Sequence, residues 1–142
     1  MSSIIRFFVA PDDAVAAGVA EGGPGADLRQ ATYGNFDVWL TLEEWESILL
    51  NRDLDEVGDA GGPDILSGAD GPVVLLVPPE LTKALAEADD DTLERAVGRW
   101  IALRAEEGED IEDELAHELL GEVAALSADA ERTRGGLYCW IC

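Results

Sequence analysis

Residues Pro72-Val73-Val74-Leu75-Leu76-Val77-Pro78-Pro79 set five consecutive apolar side chains between prolines. The run is too short for a helix and apolar on both alternating faces, so it reads as a central strand of a sheet covered on both sides. A chain built around it needs flanking strands and helices to cover them. Ile4-Ile5-Arg6-Phe7-Phe8-Val9, ending before Pro11, and Leu137-Tyr138-Cys139-Trp140-Ile141-Cys142, following Gly135-Gly136, have the β-branched and aromatic content of strands. Residues Tyr33 to Leu40 alternate Phe36, Val38 and Leu40 against Asn35, Asp37 and Trp39, which predicts a fourth strand with Trp39 on its outer face.

The segments between these strands carry helical periodicity. Pro11 suits a first helical position, Asp12 and Asp13 favour the positive end of the dipole, and Gly22-Gly23-Pro24-Gly25 stops the element. Thr41-Leu42-Glu43-Glu44 has the form of a capping box, opening a helix that buries Leu42, Trp45, Ile48 and Leu49 and turns Glu43, Glu44 and Ser47 elsewhere. Residues 51–72 are turn-rich, with a short helical turn around Asp53 to Val57 and glycines at 58, 61, 62, 68 and 71. Pro79 and Glu80 open a helix to about Glu87; Asp91 and Glu94 start another, with Leu93, Val97, Trp100 and Ile101 on one stripe, ending at Gly108. The last helix runs from Asp110 to about Arg134 on the stripe Ile111, Leu115, Leu119, Val123, Leu126. The expected architecture is a single α+β domain over residues 1–142, a sheet of about four strands packed by four to five helices, with the C-terminal strand in the sheet.

Charge constrains the partners. The chain has 31 Asp and Glu against 9 Lys and Arg, a formal charge of −22, yet 47% hydrophobic residues, enough to bury a core. Residues 1–71 hold 14 acids and 3 bases and residues 72–142 hold 17 acids and 6 bases, so each half carries −11. The acid is a property of the folded surface, not of a tail. A surface of one sign repels nucleic acid and attracts basic proteins at low salt. The chain's one lysine, Lys83, and its richness in Ala, Gly and Asp fit a compositional origin of the acid equally well. No run approaches a membrane span, and Met1-Ser2-Ser3-Ile4-Ile5-Arg6 lacks the order of a signal peptide, so a cytoplasmic protein without membrane contact is expected.

Few residues offer chemistry. Cys139-Trp140-Ile141-Cys142 is a CxxC, but with no helix after it; in a strand Cys139 and Cys142 point to opposite faces and cannot bridge. His117 is the only histidine, and Glu114-Leu115-Ala116-His117 is half of a di-metal motif whose second half is missing. Ser2, Ser3, Ser47, Ser67 and Ser127 lie in no nucleophile elbow. The densest acid, Glu106, Glu107, Glu109, Asp110, Glu112, Asp113 and Glu114, lacks the spacing of a calcium loop and reads as a helix start or a docking surface. These residues imply no catalytic group, cofactor or metal site.

The opening strand with Pro and acids after it, the Leu42-x-Glu44-Trp45-x-x-Ile48-Leu49 helix, the Pro79-Glu80-Leu81 helix start and the closing helix-Gly-strand together resemble the YfbM-like bacterial domains of unknown function. Glu46-Ser47 stand where that pattern has a His or an aromatic residue. The resemblance implies an α+β domain and carries over no catalytic residue. Three function classes follow from the residues: a non-catalytic acidic protein that binds a basic partner, immunity- or antagonist-like, with Trp39 and the 106–114 acids as contacts; a nucleic-acid mimic; and a thiol protein acting through Cys139 and Cys142.

Overall fold

The structure, a computed structural model, describes residues 4–34, 36–60, 63–67 and 72–142. The leader reading at Met1 to Ser3, the strand position of Asn35, and the turn glycines 61, 62, 68 and 71 lie outside the described residues. In chain order the elements are β1 (Ile4–Ala10), α1 (Asp13–Ala17), β2 (Gln30–Gly34), α2 (Val38–Leu50), α3 (Leu54–Ala60), β3 (Asp64–Ser67), β4 (Val73–Leu76), α4 (Pro79–Glu87), α5 (Asp90–Glu106), α6 (Asp113–Thr133) and β5 (Gly136–Ile141). The fold is α+β, as expected.

One sheet runs in the order β2-β1-β5-β4-β3, and every neighbouring pair is antiparallel. The C-terminal strand occupies the middle of it, between β1 and β4. The register sets Phe7 beside Cys139 and Cys139 beside Leu75, on the face that packs the helices; Phe8 lies beside Tyr138, and Tyr138 beside Leu76, on the other. The helix-side core joins Ile5, Phe7, Val9, Leu75, Leu137 and Cys139 to Leu42 and Trp45 of α2, Leu81 and Leu85 of α4, Val97 and Trp100 of α5, and Leu119, Leu120 and Val123 of α6. Trp45 sits at its centre, 6.4 Å from Phe7 and edge-on to Trp100 at 5.4 Å between ring centroids. The opposite face buries Phe8, Val74, Tyr138 and Trp140 under Ala16 of α1 and under Val19, Ala20 and Leu28 of the following loop. That loop closes on the sheet: Trp140 Nε1 donates to the Ala20 carbonyl at 2.9 Å, and Gly23, at φ +81°, lets the backbone lie against the indole.

The structure corrects several expectations. Among the described residues the sheet has five strands, not about four, and six helices pack with it, not four to five. The added strand, β3, lies in the 51–72 region and is defined by pairing with β4, which a local reading does not contain. The predicted strand Tyr33 to Leu40 is divided: β2 ends at Gly34, and Trp39 belongs to α2. Asp37, not Thr41, caps that helix, its Oδ1 accepting from the Leu40 amide at 3.1 Å. The earlier start puts Val38, Leu42 and Trp45 on one buried face at i, i+4, i+7, which outweighs the weak alternation read as a strand. Likewise Asp89, not Asp91, caps α5, accepting from the Thr92 amide at 2.8 Å. α6 begins at Asp113, not Asp110, and its buried stripe runs through Ala116, Leu119, Leu120, Val123 and Ser127, so Leu115 is 47% exposed.

Candidate functional site

A cleft of about 910 Å³ lies where four segments meet. The end of β2 and the start of α2 supply Tyr33, Gly34, Phe36, Asp37 and Leu40; α5 supplies Trp100 and Arg104; the connector to α6 supplies Glu109, Asp110, Ile111 and Glu112; α6 supplies Leu115 and Leu119. A volume of this size is at the upper end of natural ligand clefts. Phe36, Leu40, Ile111 and Leu115 give it apolar walls, and Asp37, Glu109, Asp110 and Glu112 give it carboxylates.

Trp100, Arg104 and Glu109 of its lining belong to a charge cluster whose other member, Glu44, does not line the cleft. Glu44 is 1% exposed and Arg104 7%, and their side chains meet at 2.5 Å. Arg104 also bonds Glu109 at 3.1 Å, while Trp100 Nε1 donates to the second oxygen of Glu44 at 3.2 Å. Trp100 and Arg104 are one turn apart on α5, so the helix aims both at the same carboxylate on α2. Burial opposes the Arg104 charge, but the hydrogen bonds it donates to Glu44 and Glu109 outweigh it and hold the guanidinium pKa above its ordinary value. The cluster holds α2 against α5 and fixes Glu109 at the cleft mouth.

A second feature borders the cleft. Tyr33 donates its hydroxyl to Glu122 of α6, and Arg29 pairs with Asp129 at 3.5 Å, so β2 is tied along α6 by side chains. Burial first, then the bond to Glu122 and the charge of Glu118, push the Tyr33 phenol well up. This edge of the sheet therefore has α6 carboxylates beside it. A smaller cavity of about 330 Å³ lies near Tyr138, whose hydroxyl donates to Asp13 at 2.7 Å.

The residues singled out from sequence divide into groups. Glu109, Asp110 and Glu112 line the cleft, whereas Glu106, Glu107, Asp113 and Glu114 are exposed and do not line it. Trp39 is 40% exposed on α2 between two cleft residues, Val38 being buried behind it, and does not line the cleft itself. Cys139 is buried and Cys142 exposed, and burial alone pushes the Cys139 thiol well up, which keeps it protonated and poorly nucleophilic. His117 is exposed on α6. Among the described residues no three His, Cys, Asp or Glu side chains gather as a metal site, and no helix is long and apolar enough to cross a membrane.

Sequence reasoning missed Phe36, Leu40, Leu115 and the Glu44–Arg104 pair. One signal for the pair was present: Arg104 continues the Val97, Trp100 stripe at i+7 and i+4, a cation on a buried face that requires an acid opposite. Which of the 31 acids answers it was not written in the local pattern. Comparisons with family models, with curated proteins and with solved structures find no match for this chain, so the site is read from its own geometry and charge.

Proposed function

We propose that this chain is a non-catalytic acidic interaction protein that binds a basic protein partner, in the manner of an immunity protein or antagonist. One observation carries the reading: the 910 Å³ cleft sets the exposed Leu115 and the half-buried Phe36 and Leu40 beside carboxylates, on a protein of charge −22. Field and anchor have different tasks. A surface of one sign speeds encounter with a cationic protein and is screened by salt, while desolvated apolar contacts slow its release. Leu115, Phe36 and Leu40 provide apolar contact, and Asp37, Asp110 and Glu112 stand where lysine or arginine side chains would meet them. Arg104, buried under Glu44 and Glu109, is already neutralised and does not repel a cation.

The test is capture of cationic proteins at low and high salt by the full chain and by a variant carrying Asp110→Lys and Glu112→Lys. Both positions are exposed, so the fold should survive. The reading expects a basic protein held at low salt by the parent chain, released by salt and lost on the variant. Equal capture by both chains, or none by the parent at low salt, would refute it.

A further inference from the structure

Among the described residues no strand pairs with the outer edges of β2 and β3, and the two edges are defended differently. β3 carries Asp64 after Pro63, and its ladder is broken by a register shift between Ile65 and Ser67. Proline, charge and a bulge are the features that keep an edge from pairing with another chain. β2, Gln30-Ala31-Thr32-Tyr33-Gly34, has none of them: no charge, no proline and an unbroken five-residue register with β1.

The register also identifies the unused backbone groups. Val9 N–H donates to the Arg29 carbonyl, and Ile4 and Cys142 exchange both of their bonds. Antiparallel alternation therefore directs Ile5, Phe7 and Val9 toward β2, and Ala31 and Tyr33 back toward β1. The N–H and C=O groups of Gln30, Thr32 and Gly34 point outward, where no described strand pairs with them. At the Gly34 end this edge opens into the cleft, and Glu118 and Glu122 lie along it near Tyr33.

We infer that the basic partner docks as a sixth strand on β2, through an extended segment that sets cations two positions before and after an apolar residue, all on one face; this rests on the acidic-interaction reading above. Added strands gain affinity from main-chain hydrogen bonds and specificity from alternate side chains. On the helix side of the sheet, where every second residue of a strand points, the apolar residue of the segment meets Leu115 and Phe36, and the cations two positions before and after it meet Glu118, Asp110 and Glu112. Charge selects this occupant over a second copy of the chain, since two surfaces of −22 repel.

The probe is a short synthetic peptide with the pattern Lys-Thr-Val-Thr-Lys, which puts both cations and the valine on one face, compared with the same peptide N-methylated on every second amide, which keeps charge and side chains but removes donors. Affinity for the full chain is read by fluorescence anisotropy at low and high salt, and amide exchange reports which backbone groups become protected. The parent peptide should bind in a salt-sensitive way and protect the Thr32 and Gly34 amides. N-methylation on the pairing edge should weaken it roughly tenfold or more, the loss of several modest hydrogen bonds. Thr32→Pro, a change an edge strand tolerates, should have the same effect if circular dichroism shows the fold retained. Equal binding of both peptides, or protection confined to β3, would overturn strand addition while leaving the acidic reading standing. Failure of both peptides at low salt would remove both. Protection of Thr32 and Gly34 that grows with protein concentration alone would show a second copy in the site and also overturn the proposal.

Discussion

Replacing Arg104 by Met isolates the energy of the buried charge cluster. The substitution removes the cation bonded to Glu44, a carboxylate 1% exposed, and keeps the Trp100 indole as a partner at 3.2 Å. Methionine fills a similar volume, so little cavity is created. Glu109 loses the same bond but is 65% exposed and rehydrates at little cost. What remains is an uncompensated buried charge, which costs about 3–5 kcal/mol. With a urea slope of about 2 kcal/mol per molar for a chain of this size, the midpoint should fall by about 2 M. Adding Glu44→Gln should recover most of the loss, because the amide is neutral and its oxygen still accepts from Trp100. Equilibrium urea unfolding followed by tryptophan fluorescence measures both. A loss below about 1 kcal/mol for Arg104→Met, or no recovery in the double variant, would refute the reasoning.

Four other expectations follow. The two tyrosines, Tyr33 bonded to Glu122 and Tyr138 bonded to Asp13, both have phenol pKa values raised chiefly by burial; stability should be complete below about pH 10 and decline as pH rises toward the folded values, and spectrophotometric titration showing a tyrosine ionising at its ordinary value in the native protein would contradict this. With a thiol reagent Cys142 should react at once and Cys139 only on unfolding, so native protein should release one equivalent rapidly and not two. The Thr92 hydroxyl and amide hold the Asp89 carboxyl below its usual range, so the cap stabilises above the unfolded value and its contribution is lost as pH falls through the folded one; the melting difference between parent and Asp89→Ala should therefore shrink in acid, and a constant difference would argue against the cap. A Cβ on Gly135 would collide with the Ala10 carbonyl, so Gly135→Ala should destabilise by roughly 1–3 kcal/mol in the same urea assay, and a neutral result would mean that this turn yields easily.

Local pattern by itself determined most elements of this chain. Ile4 to Val9, Val73 to Val77 and Leu137 to Ile141 are apolar, β-branched or aromatic and bounded by Pro or Gly, so their strand character needs no distant partner. The α4, α5 and α6 helices follow in the same way from apolar residues repeating at helical spacing, and the alternation of β5 was enough to separate Cys139 from Cys142. Where local signals were balanced, tertiary contacts decided. Phe36 to Leu40 alternates like a strand, but packing Val38 beside Leu42 and Trp45 over Phe7 makes it helical. β3 exists because β4 offers it a ladder, and the central place of β5 rests on register with strands more than sixty residues earlier in the chain. The cleft is the clearest case. Arg104 of its lining bonds the buried Glu44 across a sequence separation of 60, and its walls come from β2, α2, α5 and α6. A carboxylate on a helix reads as solvent-facing until a cation on another helix meets it, because only that pairing offsets the cost of removing the charge from water. Composition and periodicity determined that the chain is an acidic α+β protein; which acids are buried, which stand at the cleft and which strand edge stays open depended on elements meeting in space.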